Sequence, residues 1–169
     1  MKSKVRPMSD LNYLSKIEID QTNLPFASPE IEQERKVAIF DLLEENSFRV
    51  EKRGNKSPPE GPYQLFIRDQ NGRVVFKLCA DEGIEFTEFH LSLTPLKETI
   101  KAYFKICDLY FDAVKQHSRA RIETIDMARR GVHDEGAALL QERLEGKVTM
   151  DKATSRRLFT LVCVLQAQR

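Results

Sequence analysis

The sequence predicts an α+β fold: a largely antiparallel sheet of about four to five strands, with the helical C-terminal half of the chain packed on one face of it. Two observations predict this arrangement. Between Tyr63 and Leu91, apolar residues recur at every second position, which is typical of half-buried strands. From Leu93 onwards they recur at every third or fourth position, which is typical of amphipathic helices. One core is expected to join the two halves.

A first strand and a first helix are predicted before this region. Residues 12–20 alternate apolar and polar side chains as a strand does, although Leu14 is out of step. Ser28-Pro29-Glu30 predicts a helix start, because serine accepts from free amides, proline loses no useful donor there, and glutamate favours the positive end of the dipole. The helix is expected to end at Asn46. Its predicted buried face, flanked by Val37 and Phe40, consists of Ile31, Ala38, Ile39, Leu42 and Leu43.

The strongest local signal is a β-hairpin. Asn71-Gly72 lies between two runs of alternating apolar residues, and this pair favours the tight turn of a hairpin. A further strand is predicted after a turn at residues 81–83. Phe48 and Val50 indicate a short strand, and residues 52–62, with their glycines and prolines, are expected to form a flexible loop.

The second half of the chain predicts three helical segments. A long amphipathic helix is expected to begin at Thr94-Pro95, and a second at Ser118. Gly131 is expected to interrupt the second helix. Asp151 is predicted to cap the last helix, which is apolar around most of its circumference over residues 158–165. We expect that helix to lie at the centre of the fold, with a dimer interface as the alternative.

Length and charge limit the class of protein. The 169 residues, 41% of them apolar, predict a single domain over residues 12–169 after a mobile N-terminal arm at residues 1–11. Lys+Arg total 27 and Asp+Glu total 26, so the net charge of +1 gives no overall attraction to nucleic acid or to an anionic membrane. Basic residues without an aromatic stacking motif also argue against nucleic-acid binding. With no secretory signal and no run of about 18 apolar residues, we expect a cytoplasmic protein.

The chain has no recognisable catalytic or cofactor motif. Its cysteines lie far apart in apolar stretches, which indicates packed, inert thiols and not a disulfide or metal site: Cys79, Cys107 and Cys163. Neither His133-Asp134-Glu135 nor the pair Glu88 and His90 has metal-ligand spacing. We therefore predict no metal and no cofactor.

One dense group of charged residues is the candidate ligand site. Its members lie three or four apart on the second predicted helix, so several share a face: Asp126, Arg129, Arg130, His133, Asp134 and Glu135. A helix break at Gly131 would expose backbone amides, an arginine could bind a phosphate or carboxylate, and His133 could act as an acid or base. The alternative is a solvated face of ion pairs with Asp134 as a helix cap. Replacing both Arg129 and Arg130 with Gln would then reduce the stability of the folded chain by only about 0–1 kcal/mol.

Several stretches of the chain are similar to those of a known bacterial family. They are residues 34–48 (ERKVAIFDLLEENSF), 61–63 (GPY), 125–131 (IDMARRG), 133–136 (HDEG), 142–147 (ERLEGK) and 156–161 (RRLFTL). In this order they resemble the uncharacterised protein family UPF0262, from about Leu14 to Leu165. The resemblance implies a free-standing cytoplasmic bacterial protein of this length. It implies no activity and no catalytic residues.

Two functions remain open from the sequence. The lack of a catalytic set and the large apolar helix surface favour a non-enzymatic binding or regulatory domain that acts through a protein partner or through self-association, for example as a homodimer. The alternative is a small-molecule binding protein or enzyme that uses the Arg129–Glu135 cluster for a phosphate- or carboxylate-containing ligand, with the loop at residues 52–62 closing over it. A concave pocket with an unpaired arginine would favour the ligand. Pairing of each arginine on a convex face would disfavour it.

Overall fold

The computed structural model describes residues 10–20, 28–80 and 82–167, so most of the predicted N-terminal arm lies outside it. The α+β class is confirmed. The elements follow in chain order: β1 (Leu14–Ile19), α1 (Pro29–Glu44), β2 (Phe48–Val50), β3 (Tyr63–Gln70), β4 (Arg73–Ala80), β5 (Glu85–Ser92), a 3₁₀ turn (Thr94–Leu96), α2 (Lys97–Lys115), α3 (Arg119–Arg143), β6 (Val148–Met150) and α4 (Lys152–Val164).

The main sheet has four strands in the order β1-β3-β4-β5. β3, β4 and β5 form the predicted antiparallel meander, whereas β1 runs parallel to β3. A parallel pair needs a crossover connection, and α1 lies in the segment that joins these two strands. β2 and β6 form a separate antiparallel pair, which brings the chain after α1 beside the start of α4.

The out-of-step residue in β1 is explained by a β-bulge. The pairing with β3 shifts register between Leu14 and Lys16, so Leu14 and Ile17 both face the core although three positions separate them. The predicted hairpin is confirmed at the other end of β3. Asn71 and Gly72 have φ of 49° and 80°, the two positive values that its tight turn requires.

The core lies between the sheet and the helices, and α4 is at its centre. Residues 158–165 are all buried, and α4 packs against α1, α2 and α3. The prediction of a central position is therefore confirmed. The predicted caps of α1 and α4 are also present, because Ser28 Oγ accepts from the amide of Ile31 at 3.2 Å and Asp151 Oδ1 from that of Thr154 at 2.8 Å. At the helix start predicted for Thr94-Pro95, the structure instead has the 3₁₀ turn, and α2 begins after it at Lys97.

The predicted interruption at Gly131 is wrong, because α3 is one continuous helix from Arg119 to Arg143. An interior glycine costs a helix only about 1 kcal/mol, and the buried side chains of Ile125 and Leu140 anchor α3 on both sides of it. Since the helix does not break, no amides are freed for an anion in its middle. Asp134 is accordingly not a helix cap.

Candidate functional site

Two surfaces carry the candidate functional residues, and the first is the polar cluster where α1, α3 and α4 meet. Arg129 Nη2 on α3 lies 2.6 and 2.9 Å from the two carboxylate oxygens of Glu34 on α1. The guanidinium also lies 4.8 Å from the ring centre of Tyr110. The side chains of Arg129 and Glu34 are only 23% and 12% exposed. This ion pair is internal and joins two helices.

Arg130 has the opposite environment, although it is the next residue. Its side chain is 76% exposed and pairs with Asp126 one turn back, at 2.9 Å. Successive residues of a helix are rotated by about 100°, so the two arginines cannot share a face. Asp126 and Arg130 form the solvated ion pair that the alternative interpretation predicted, whereas Arg129 does not.

His133 is held through both ring nitrogens. Nδ1 lies 2.9 Å from the carbonyl oxygen of Arg129, and Nε2 lies 3.2 Å from the hydroxyl of Thr160 on α4. A carbonyl can only accept, so Nδ1 carries a proton; the hydroxyl of Thr160 also lies 3.2 Å from the carbonyl oxygen of Arg156, so its one proton is shared between that carbonyl and Nε2. The ring packs edge-on against Tyr103, and burial lowers the pKa of His133 below its ordinary 6.5. These contacts describe a neutral structural histidine.

Asp134 and Glu135 bind neighbouring helices on different sides of α3. Asp134 Oδ1 accepts from Nε of Arg156 on α4 at 2.7 Å, and this guanidinium holds the pKa of the carboxyl below its usual range. Glu135 accepts from the hydroxyl of Thr99 on α2 at 3.3 Å. The six predicted site residues therefore do not converge: Arg129, His133 and Asp134 face α1 or α4, Asp126 and Arg130 face solvent, and Glu135 faces α2.

A groove of about 180 Å³ lies beside this cluster. It combines side chains that are far apart in the sequence: Glu34, Val37, Ala38, Asp41, Arg129, His133, Ala153, Arg156, Arg157 and Thr160. Only Arg129 and His133 belong to the predicted set. Reasoning from local spacing missed the contributions of α1 and α4, although two stretches that resemble the family, residues 34–48 and 156–161, contain most of them.

The charges of the groove join the three helices in pairs. Glu34–Arg129 joins α1 to α3, Asp134–Arg156 joins α3 to α4, and Asp41–Arg157 joins α1 to α4 at 3.8 Å. The groove is concave, as a ligand site requires. Each arginine that lines it nevertheless has a carboxylate partner, so its positive charge is already compensated within the protein. The loop at residues 52–62 contributes nothing to this groove; it packs against β5, with Arg53 over the ring of Phe89.

The thiols are enclosed. All three cysteines are buried and free. Cys107 donates to Glu34 at 3.5 Å, and burial raises its pKa to about 12. Burial also raises the pKa of Cys163. Within residues 10–20, 28–80 and 82–167, no three His, Cys, Asp or Glu side chains come together as a possible metal site. No helix in this same part of the chain has the length and apolar character needed to cross a membrane.

The second surface is an apolar strip on α1, formed by Val37, Phe40 and Leu43. These side chains are 43%, 62% and 50% exposed. Leu43 was predicted to face the core, and that prediction is wrong. The helix is apolar on two sides, so its sequence pattern does not separate the buried side, which carries Ala38 and Leu42, from the exposed one. The other exposed large apolar residues of the described chain are Ile84, Val114 and Met127.

Comparison with known proteins gives the family. The family model described as "Uncharacterised protein family (UPF0262)" matches residues 11–168. The chain belongs to this family. It is 56% identical to a UPF0262 protein of Ruegeria sp. (strain TM1040) over 155 residues, 92% of this chain and 98% of the relative. A UPF0262 protein of Paracoccus denitrificans (strain Pd 1222) is 55% identical over 154 residues, 91% of this chain and 95% of the relative. No solved structure matches the chain.

Both candidate surfaces lie inside the region that matches the UPF0262 model. The strip and the groove therefore belong to the family domain itself. The names of these relatives state family membership and no activity. A function for the chain must consequently be argued from its own geometry.

Proposed function

We propose that this UPF0262 protein is a non-enzymatic domain that acts by associating with protein, and that the strip of Val37, Phe40 and Leu43 is its contact surface. The observation that carries the proposal is the exposure of these side chains on one helix. Single exposed apolar residues are common on protein surfaces. A contiguous apolar patch with a polar rim instead marks an interaction site. The charged rim is present, because Lys36 and Glu44 are exposed beside the strip.

The shape of the strip suits helix docking. Val37, Phe40 and Leu43 follow each other at intervals of three residues, so they form a ridge along α1. An aromatic residue at the centre of an interface, surrounded by smaller apolar contacts, is the usual arrangement of a binding hot spot. Phe40 occupies this central place. The opposite side of α1 is fixed by Ala38 and Leu42 in the core, so the strip is presented on a rigid support.

The polar cluster supports the non-enzymatic part of the proposal. Both nitrogens of His133 are bound to protein atoms, which leaves neither available for substrate in this arrangement. The arginines of the groove are paired with carboxylates. The raised pKa of Cys107 disfavours the thiolate that nucleophilic chemistry needs. These groups stabilise the packing of three helices.

Site-specific photo-crosslinking in the native bacterium tests this proposal. A photoreactive amino acid replaces Phe40 in one variant and the exposed Lys101 of α2 in a control. We expect a discrete cross-linked protein product from position 40, identified by mass spectrometry of the joined peptides, and none from position 101. The product should disappear when Leu43→Glu is added. No product at position 40, or the same products at both positions, would contradict the proposal.

A small-molecule site in the groove is the second candidate. Its support is Arg157, whose contact with Asp41 is 3.8 Å, longer than a hydrogen bond. A phosphate or carboxylate could therefore compete for this guanidinium more easily than for Arg129. The test is thermal unfolding with nucleotides, sugar phosphates and carboxylates, because a ligand at about 100 times its Kd adds about 2.7 kcal/mol. The candidate requires a shift that is lost in Arg157→Gln and kept in Arg130→Gln. A flat screen would exclude these ligand classes.

A further inference from the structure

We infer that the outer edge of β5, with the cleft beside it, binds an extended segment of another protein. The segment adds to the main sheet next to β5, places an apolar side chain in the cleft and sets an acidic side chain against the basic rim of the cleft. This site is separate from the α1 strip and goes beyond the proposed function. Three features carry the inference: an unpaired strand edge, an apolar cleft along that edge, and two cations without acidic partners.

The edge is unpaired because β5 is the last strand in the order β1-β3-β4-β5. Within residues 10–20, 28–80 and 82–167, its ladder joins it to β4 alone. An unpaired edge is a template for a further strand, and proteins commonly protect such edges with lysine, proline or a short length. β5 has eight residues and contains neither lysine nor proline. The edge is therefore long enough and open enough to pair with an extended segment.

The hairpin register shows which backbone groups this edge offers. Gln70 and Arg73 flank the two-residue turn, so they form a hydrogen-bonded pair. Hydrogen-bonded and non-hydrogen-bonded pairs alternate along an antiparallel ladder. Continued along β4 and across to β5, this alternation points the amide and carbonyl of Phe89 towards β4. The amides and carbonyls of Glu88 and His90 consequently point to the free edge.

A cleft of about 250 Å³ lies along the same part of β5. The strand contributes Phe86, Thr87 and Phe89 to its lining, and the loop at residues 52–62 contributes Pro58 and Pro59. The volume is below the about 300–1,000 Å³ of small-molecule sites, so the cleft suits one apolar side chain. Side chains directly opposite each other on paired strands share a face of the sheet. A residue opposite Phe89 on an added strand would therefore be directed towards the cleft.

The two sides of the cleft are held by one residue, Tyr63. Phe86 is skipped in the ladder with β4 and forms a β-bulge, a device that turns a side chain in a new direction. Its ring centre lies 5.6 Å from that of Tyr63. The hydroxyl of Tyr63 donates to the carbonyl of Pro59 at 2.9 Å. Strand and loop are thus fixed relative to each other before any partner binds.

The rim of the cleft is basic. Arg53 and Lys56 line it and are both exposed. In the described part of the chain, neither has a carboxylate within ion-pair distance, whereas the arginines of the groove are paired. Glu51 also lines the cleft, but Arg49 lies 3.8 Å from its carboxylate. Two uncompensated positive charges favour an acidic partner. Because strand side chains alternate between faces, the acidic residue should lie two positions from the apolar one.

Selection of random heptapeptides on phage by the purified full chain tests the inference. We expect enrichment of peptides that carry an apolar residue and, two positions away, Asp or Glu. Fluorescence polarisation of a labelled selected peptide then gives its Kd. Replacing the apolar residue with serine should raise the Kd at least about tenfold, since the cleft is left unfilled. N-methylation of alternate amides, which removes donors and keeps the side chains, should abolish binding in one of its two registers only.

Two double variants of the chain form a matched pair for the charge of the rim. Arg53→Glu/Lys56→Glu should raise the Kd about tenfold, because two attractions become repulsions. Lys101→Glu/Lys105→Glu changes the net charge equally at two exposed positions of α2 and should leave the Kd within about twofold. Phe40→Asp in the α1 strip should also leave it unchanged. Far-UV circular dichroism checks that each variant is folded.

Backbone hydrogen exchange, followed residue by residue by NMR, locates the bound peptide. In the free chain the amides of Glu88 and His90 should exchange fast, and those of Phe89 and Leu91 slowly, because only the latter bond to β4. The peptide should slow exchange at Glu88 and His90 at least about tenfold and leave Phe89 and Leu91 nearly unchanged.

Four results would overturn the inference: a selection without a common pattern, binding that survives Arg53→Glu/Lys56→Glu, protection that appears elsewhere than on β5, and protection of Glu88 and His90 in the free chain that rises with protein concentration. The last would show that a second copy of the chain occupies the edge. Binding that is lost in Phe40→Asp would place the peptide on the α1 strip, which would remove this inference and support the proposed function.

Discussion

Arg129 and Arg130 differ in what their replacement should cost. Arg129→Gln removes the partner of Glu34, whose side chain is 12% exposed, and leaves a charge with little access to water. We expect the free energy of unfolding to fall by about 2–4 kcal/mol, a little less than when a fully buried ion pair is broken. Arg130→Gln breaks an exposed pair within one helix and should cost about 0–0.5 kcal/mol. Urea unfolding measures both.

A solvated face implies that the double variant Arg129→Gln/Arg130→Gln loses about 0–1 kcal/mol of stability. Because the side chain of Arg129 is only 23% exposed, we expect a larger loss. Equal losses in the two single variants would show that Arg129 is not held as the structure has it. Its partner Glu34 provides a second check. Glu34→Gln should destabilise the chain, because it leaves the guanidinium of Arg129 without a carboxylate.

Gly131 and Gly136 form a pair of contrasting glycines within α3. A Cβ at Gly136 would lie 2.4 Å from ring atoms of Phe159, whereas a Cβ at Gly131 would meet no atom within 4 Å. Gly136→Ala should therefore cost about 1–3 kcal/mol by overpacking. Gly131→Ala should stabilise the chain by about 0.5–1 kcal/mol, since alanine is the better helix former. Chemical denaturation distinguishes the two, and destabilisation by Gly131→Ala would argue that α3 bends there.

His133 should make stability depend on pH. Its pKa in the folded protein lies below 6.5, the value expected for the unfolded chain, so the unfolded chain takes up the proton first. The stabilisation is complete above pH 6.5 and is lost as the pH falls from 6.5 towards the folded pKa. His133→Gln should reduce the difference in free energy of unfolding between pH 8 and pH 5.5. At pH 8, where protonation of the ring does not contribute, the difference in free energy of unfolding between the wild type and His133→Gln gives the packing cost alone. An unchanged pH dependence would contradict the buried neutral ring.

At the scale of elements, one side chain fixes how β1 meets α1. Asn46 accepts from the amide of Leu14 at 2.7 Å and donates to the carbonyls of Leu14 and Leu42 at 3.0 and 2.8 Å. It ends α1, as the sequence predicts, and also holds the start of β1 against it. The first residue of β1 is therefore held by a contact across 32 residues.

Asn46→Asp tests this junction. The substitution keeps the shape, but removes both N–H donors and places a carboxylate against two buried carbonyl groups. We expect a loss of about 3 kcal/mol or more, since each unsatisfied buried group costs about 1–3 kcal/mol. The exposed Asn12, two residues from Leu14, provides the control. Asn12→Asp should stay within about 0.5 kcal/mol of the wild type by denaturant titration. Similar losses in both variants would contradict the role of Asn46.

On the scale of the whole molecule, α4 lies in a core that both halves of the chain share. Phe48, Leu78 and Leu140 belong to the same buried cluster as Phe159 of α4, so strands and helices share one core. A single domain over residues 12–169 stays a prediction, and unfolding tests it. Far-UV circular dichroism and the fluorescence of the four tyrosines, in a chain without tryptophan, should give coincident transitions. Separate midpoints at fixed protein concentration would indicate two independent units.

Most of the fold could be predicted because its signals are local. The Asn71-Gly72 turn, the capping residues Ser28 and Asp151, and the period of the apolar residues each act within a few positions. The Gly131 prediction failed because a local cost of about 1 kcal/mol is outweighed by packing against distant elements. Leu43 was misplaced for a related reason, since a helix with two apolar sides does not reveal from its period which side is buried.

The sequence by itself determined the α+β class, the hairpin, the central last helix and the UPF0262 resemblance, because each rests on neighbouring residues or on the chain as a string. Only the tertiary structure decided the partners of the charged residues. Arg129 pairs with Glu34 across 95 positions, and Asp134 pairs with Arg156 across 22. Ion pairs form between side chains that packing brings together, and spacing along one helix cannot show this. The same packing leaves Phe40 exposed, and thereby decides which side of α1 can meet a partner.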